Sequence, residues 1–157
     1  MADNVEFSIT GIEELSRKLT NIPLQVSKKP GRRALGKAVN VIAKAARQNA
    51  RRVDDPDTGR KISQNIGRRF RSRHFRRTGE LKISVGVLSR RGKIPKGNPD
   101  EGAKGNTPHW HLVELGTAEA RAQPFLRPAL ADNMNEAIDV FARNLDIELT
   151  KLAEQNQ

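Results

Sequence analysis

Several residue types are scarce in this chain, and each shortage excludes something. There is no cysteine, so the fold has no disulfide, no thiolate metal site and no cysteine nucleophile. Aromatic residues make up only 4% of the chain, which argues against a stacking platform for single-stranded nucleic acid, because such platforms line up several rings. No apolar run reaches the roughly 20 residues of a membrane-spanning helix, so we expect no membrane contact.

The sequence patterns that carry most catalysis are missing as well. No serine lies in a Gly-x-Ser-x-Gly turn, and no glycine-rich phosphate loop is present. His109 and His111 would share one face of a strand and could bind a metal there, but Glu114 is only a loose third ligand, so a structural pair is favoured. The aspartate-rich loop at 53–59 lacks the spacing of a calcium loop. We therefore predict no enzymatic activity, no metal, no cofactor and no small-molecule substrate.

The length of the chain, 157 residues, is that of one domain and is sufficient to bury a core. We predict a single domain over residues 1–157. The first residues do not have the basic-then-apolar order of a secretory signal, so we expect a protein made in the cytoplasm.

Positive charge dominates the composition. There are 29 Lys and Arg against 18 Asp and Glu, which gives a formal net charge of +11. Such a surface attracts nucleic acid, acidic lipid or an acidic protein. Part of the charge follows one side of a helix, opposite an alanine-rich apolar stripe, with almost no acidic residue four positions away. A merely solvated helix face is the alternative interpretation.

The densest charge lies in residues 68–77, which hold six arginines and two phenylalanines. If this segment is a strand, Arg69, Arg71 and Arg73 line one face of it. Arginine binds phosphate through two hydrogen bonds, and contact with the DNA backbone needs no sequence readout. Salt bridges to an acidic neighbouring subunit are the alternative. The sequence favours neither DNA contact nor these salt bridges. The predicted surface for DNA or an acidic partner comprises Arg69, Arg71, Arg73, Arg76, Arg77, Lys37, Lys44, Arg47 and Arg51.

Hydrophobic periodicity predicts an α+β fold, in which two long amphipathic helices pack on a small, mostly antiparallel sheet. The helices are expected at about 30–50, beginning near Leu24 or Pro30, and at about 128–152. Residues 109–115 are ambiguous between a strand and a short helix. The other expected elements are strands at 5–10 and 81–87, short helices at 12–19 and 60–66, a long flexible loop at about 89–108 and a polar tail at about 153–157.

The segment from Gln123 to Pro128 is a rigid connection, because each of its two prolines fixes the backbone angle φ. Phe125 could fill a pocket, and Arg127 could clamp a carboxylate or cap a helix end. Trp110 is assigned to the core. The residues predicted to contact a second subunit or a partner are Gln123, Pro124, Phe125 and Arg127.

Three stretches together carry a resemblance to a known family. They are residues 50–87 with Arg-Thr-Gly-Glu-Leu at 77–81, residues 109–117 with the sequence His-Trp-His-Leu-Val-Glu-Leu-Gly-Thr, and residues 122–130 with Ala-Gln-Pro-Phe-Leu-Arg-Pro-Ala-Leu. In this order they resemble the neck and tail-completion proteins of long-tailed phages, a group related to the minor tail protein Z of phage lambda. The resemblance covers most of the chain, although residues 89–108 match nothing in it.

The resemblance implies a non-catalytic virion protein at the head–tail junction. It would form a homo-oligomeric ring around the DNA path and contact neighbouring neck, tail-tube or terminator proteins, with non-specific contact to the DNA backbone. A free basic nucleic-acid-binding protein is the first alternative, and a small nuclease is the second. Assembly into a ring would favour the neck interpretation, whereas a DNA-binding monomer would favour the first alternative.

Overall fold

The computed structural model describes residues 24–56, 60–88 and 107–155. The strand predicted at 5–10, the helix predicted at 12–19 and most of the 89–108 loop lie outside these ranges. No helix within them is long and apolar enough to cross a membrane. The elements, in chain order, are α1 (Leu24–Ala50), α2 (Ile62–Asn65), β1 (Ile66–Phe70), α3 (Ser72–Thr78), β2 (Ile83–Val87), α4 (Trp110–Leu115) and α5 (Leu126–Gln155).

The two long helices, α1 and α5, form the frame of the molecule, and the predicted α+β class is confirmed. They pack along each other, and α1 also packs against the two strands. Small side chains permit this double packing, because alanine lets neighbouring backbones approach closely. Four alanines of α1 are completely buried: Ala34, Ala43, Ala46 and Ala50. The helix α1 therefore lies between α5 on one side and the strands on the other.

The strands β1 and β2 pair antiparallel, with Gly67 opposite Gly86 and Phe70 opposite Ile83. One face of this hairpin lies on α1: the carbonyl oxygen of Ile66 accepts a hydrogen bond from Arg47 Nε at 3.1 Å, and Arg32 Cζ lies 4.3 Å from the ring centre of Phe70. Since alternate residues of a strand point to opposite faces, Gly67 and its partner lie on the outer face. A Cβ added at Gly86 would meet no atom within 4 Å, so that face is open there.

The arginine-rich segment is not one strand, which corrects the interpretation of residues 68–77. The strand ends at Phe70, and Ser72 begins the helix α3. Phe70 and Phe75 are five residues apart and would lie on opposite faces of a continuous strand, where Phe75 could not reach α1. The helical turn brings their ring centres to 6.3 Å and sets Lys28 Nζ 4.7 Å from the centre of the Phe75 ring. Arg73 is therefore a helix residue.

The ambiguous segment at 109–115 is helical, as α4. In a helix, residues two positions apart do not face each other, so the strand geometry that would have joined His109 and His111 does not arise. Within the three described ranges no group of three potential ligands could hold a metal ion. Trp110 packs against the main core cluster, as predicted, and that cluster comprises Ala46, Ala50, Ile62, Ile66, Phe125 and Ala129.

Candidate functional site

The outer surface of the hairpin and α3 carries several exposed cations, and we call it the basic surface. Its cations border a surface cavity of about 500 Å³, and no carboxylate is among the lining residues. Arg71 is held in place because its Nε donates to Ser84 Oγ at 2.8 Å and its backbone N–H donates to the Lys82 carbonyl at 2.9 Å. The basic surface consists of Arg69, Arg71, Arg73 and Lys82.

The helix α3 adds exposed arginines to this charge, but its aromatic ring does not lie on the same surface. Arg76 and Arg77 are exposed on it, while Phe75 faces α1. Gly79 ends the helix at φ 77° and donates its N–H to the Phe75 carbonyl at 2.8 Å. His74 Nε2 lies 3.0 Å from Glu80 Oε2. The rings of Phe70 and Phe75 therefore serve packing, and the arginines alone face solvent.

The basic residues predicted on α1 do not form one free surface. Lys37 Nζ donates to Asn144 Oδ1 of α5 at 2.7 Å, and Arg47 binds the backbone of β1 as described above. Lys44 and Arg51 are exposed, and Arg51 borders a cavity that also contains Asp54 and Asp55. Two of the four predicted α1 cations are thus engaged within the chain, and the other two lie apart from the basic surface.

An ion pair joins α1 to α5 beside these residues. Arg33 donates to Glu148 Oε2 at 3.0 Å, with the Glu148 side chain 10% exposed and that of Arg33 69% exposed. The hydrogen bond from Arg33 holds the pKa of Glu148 below its ordinary value, and this effect outweighs partial desolvation. The pair therefore fixes how the two long helices lie against each other, rather than offering a charge to a partner.

A second, buried charge sits where α4 meets the start of α5, and we call this arrangement the α4–α5 joint. The carboxylate of Glu114 accepts three backbone hydrogen bonds, from Phe125 at 2.7 Å, Leu126 at 3.0 Å and Arg127 at 3.1 Å. Arg127 also donates from Nε to that carboxylate at 3.4 Å and from its guanidinium to the Glu114 carbonyl at 3.0 Å. Glu114 thus supplies the acceptor that the first N–H groups of a helix require.

Burial and hydrogen bonding oppose each other at Glu114. Its side chain is only 5% exposed, and burial alone would raise its pKa. The hydrogen bonds from Leu126, Phe125 and Arg127 outweigh burial and hold the pKa of Glu114 below its ordinary value. The carboxylate is therefore ionised and committed to the joint.

The sequence contains a partial signal for this joint. Residues 123–125 are Gln, Pro and Phe, none of which is a side chain that usually caps a helix start. A long helix without a local cap needs an acceptor from elsewhere, and Glu114 is the nearest preceding buried carboxylate. The prediction that Arg127 could clamp a carboxylate is confirmed, and Glu114 is the carboxylate.

The predicted interface segment divides between surface and core. Gln123, Pro124 and Arg127 are exposed, and their contact with a second subunit or a partner stays a prediction. Phe125 is 0% exposed and belongs to the main core cluster, so its side chain could reach a partner only if the core opened. Leu126 packs against the same cluster.

His109, which precedes α4, is partly buried and lies near charged groups. Burial lowers the pKa of His109, and the positive charge of Arg60 lowers it further, while Asp55 acts in the opposite direction. His109 is therefore neutral near pH 7, which leaves it as a short-range polar group beside the core.

Comparison with known proteins assigns the chain to one family. Residues 13–116, which are 104 of the 157 residues, match the HK97-gp10-like model, described as "Bacteriophage HK97-gp10, putative tail-component". A search of curated proteins and a search of solved structures find no match. The predicted phage tail or neck family is confirmed at this level, while a specific relation to the minor tail protein Z stays a prediction. The chain belongs to the HK97 gp10-like family of phage tail components, and its role is that of a structural protein of the virion.

Proposed function

We propose that the chain is a non-catalytic ring subunit at the head–tail junction, which joins the tail to the head around the path of the DNA. The observation that carries this proposal is the formal net charge of +11 on a chain that belongs to a family of phage tail components. Its partners in this role are other copies of itself and the neighbouring neck, tail-tube or terminator proteins.

The charge supports a position close to DNA. Each copy contributes a formal +11, so a closed ring multiplies a field that attracts the phosphate backbone. DNA must move through such a ring during packaging and ejection, which requires contacts that any base sequence satisfies. The two phenylalanines of the arginine-rich segment lie under cations of α1 and cannot stack on bases, so the geometry favours contact without sequence readout.

Several acidic and imidazole groups already make contacts within the fold, and this supports a non-catalytic role. Glu114 is occupied by the start of α5, Glu148 by Arg33, and His74 lies against Glu80. General acid–base catalysis needs a group within hydrogen-bond reach of a substrate. These groups instead make contacts that hold the fold together.

The proposal is tested in the phage that encodes the chain, with an early stop codon in its gene. We expect DNA-filled heads and separate tails in the lysate, visible by negative-stain electron microscopy, and joining restored when the purified chain is added. A control stop codon in a tail-fibre gene should leave heads and tails joined. Normal joined particles in the absence of the chain would contradict the proposal, and would favour a free nucleic-acid-binding protein.

A further inference from the structure

We propose that the basic surface of one copy docks on an acidic stripe along α5 of the next copy, so that identical subunits join head to tail. The inference deepens the proposed ring and rests on it. It selects a second copy of this chain, rather than DNA, as the occupant of the basic surface.

The acidic stripe is a feature of α5 that no contact among the described residues explains. It consists of Asp132, Glu136 and Asp139, which follow one another at spacings of four and three residues and so share one side of the helix. All three are exposed, and within the described residues none of their carboxylates has an ion-pair or hydrogen-bond partner. The buried residues of α5, such as Ala137 and Leu145, face α1 instead, so the stripe faces away from α1.

The basic surface and the acidic stripe lie on different faces of the subunit. The helix α1 contacts α5 through the Arg33–Glu148 pair and contacts the hairpin through Arg32 against Phe70. Arg69 neighbours Phe70 in β1 and therefore points to the other face of the hairpin. The basic surface and the acidic stripe therefore both face away from α1, one on the hairpin and the other on α5.

The spacing of the charges on the two surfaces also corresponds. Arg69 and Arg71 are two residues apart on nearly extended chain, which is about 7 Å. Asp132 and Glu136 are separated by four helical residues, a rise of about 6 Å. Consecutive guanidinium groups can therefore face consecutive carboxylates. Among the described residues, no carboxylate lines the cavity beside the arginines.

Complementary patches on different faces of one molecule make a heterologous contact, which generates rings or filaments rather than isolated dimers. This arrangement also removes a conflict in a DNA-binding ring. An acidic stripe that faced the DNA would repel phosphate, whereas a stripe covered by the next subunit does not. Because the pairs are exposed at the rim of the contact, they fix partner and orientation more than they add affinity.

The experiment measures the mass of the purified full-length chain in solution, by sedimentation, over a range of protein and salt concentrations. The variant with Arg69→Glu and Arg73→Glu reverses the basic surface, and the variant with Glu136→Lys and Asp139→Lys reverses the stripe. Wild type should self-associate, and less so as salt rises from about 50 to about 500 mM, because salt screens exposed charges. Each variant alone should associate at least about 100-fold more weakly.

Mixing the two variants is the decisive step. The first variant keeps the stripe and the second keeps the basic surface, so their equimolar mixture should regain association while neither does so alone. An isologous contact made by either surface with itself would not show this rescue. Circular dichroism and the unfolding midpoint of each variant check that the subunits are folded.

The matched controls carry equal charge changes at other exposed positions. Glu119→Lys with Glu154→Lys matches the reversed stripe, and Lys44→Glu with Arg51→Glu matches the reversed basic surface. These controls should associate like wild type. Equal loss of association in the controls, absence of rescue on mixing, or a wild type that is monomeric at every concentration in low salt would each overturn the inference.

Binding to a 30-base-pair DNA duplex, about three helical turns long, tests whether DNA rather than a second copy occupies the basic surface. Loss of duplex binding in the Arg69 and Arg73 variant, together with normal self-association, would assign the basic surface to DNA and overturn the inference. That result would leave the head–tail role intact. Conversely, joined particles without the chain would contradict the proposed role, whereas the docking measurement on purified protein would still stand.

Discussion

The α4–α5 joint and the basic surface both depend on charge, yet they use it in opposite ways. At the joint a single carboxylate, Glu114, is buried and satisfied by four donors of its own chain. On the basic surface several arginines are exposed, and among contacts of the described residues only Arg71 has a side-chain hydrogen bond that positions it. The contrast indicates that one buried charge with complete hydrogen bonding determines folding, whereas many exposed charges are available for partners.

The largest test of this contrast removes the core residue at the joint. Phe125→Ala should lower the free energy of unfolding by about 3–5 kcal/mol, because the ring is completely buried and its loss leaves a cavity. Urea unfolding followed by circular dichroism measures the effect. The neighbouring exposed residue supplies the control, since Pro124→Ala should change stability by less than about 1 kcal/mol. A small effect at Phe125 would mean that its side chain serves a partner after all.

The second test removes the buried carboxylate itself. Glu114→Ala should lower the free energy of unfolding by about 3 kcal/mol, because three backbone N–H groups lose a charged acceptor. Glu114→Gln keeps the shape and one acceptor oxygen, so it should cost about half as much. The same Glu→Gln change at exposed Glu119 is the matched control and should be nearly neutral. If Glu114→Ala were as mild as this control, the joint would not stabilise the fold.

The pH dependence of stability tests the charge at the joint. The pKa of Glu114 is lower in the folded chain than its ordinary value of 4.5, so the unfolded chain binds the proton first. The stabilisation from Glu114 is therefore fully present above that ordinary value and is lost as the pH falls through the folded pKa. Unfolding of wild type and Glu114→Gln between about pH 7 and pH 3 should show their difference shrinking at the acid end. A constant difference would contradict an ionised Glu114.

The smallest effect on folding is expected at the basic surface. Replacing Arg69 and Arg73 with Gln should change the free energy of unfolding by less than about 0.5 kcal/mol, because neither side chain makes a hydrogen bond or ion pair within the described residues. The same variant should lose self-association. A loss of stability comparable to that of Glu114→Ala would erase the distinction between the two regions.

The elements that the sequence predicted well are those with long periodic patterns. The helices α1 and α5 were expected because their apolar residues repeat at helical spacing over many turns, and Pro30 altered only the expected start of α1. The short segments were harder. At 109–115 the pattern is too short to distinguish strand from helix, and at 68–77 the arginines suited an alternating strand while the two phenylalanines required a turn.

The sequence predicted which residue types the candidate site contains, but not where their side chains lie or which groups they contact. A charge list cannot show that Lys37 bonds to Asn144 or that Arg47 bonds to the backbone of β1, because these partners are far away in the chain. The role of Glu114 was missed for the same reason, since its donors lie 11 to 13 residues away. That the chain forms a single domain over residues 1–157 stays a prediction.

The outer face of the hairpin is open at Gly86, and this gives Gly86 a diagnostic use in mutational scanning. A methyl group at Gly86 meets no atom of the described residues within 4 Å, and the φ angle of Gly86 is not in the left-handed region. Gly86→Ala should therefore leave the folded fraction of the isolated chain unchanged. If phage carrying that substitution are depleted in a growth competition, the selection must act through a neighbouring molecule that packs against this face. Codon-by-codon fitness at Gly86 would thus report assembly without any contribution from folding.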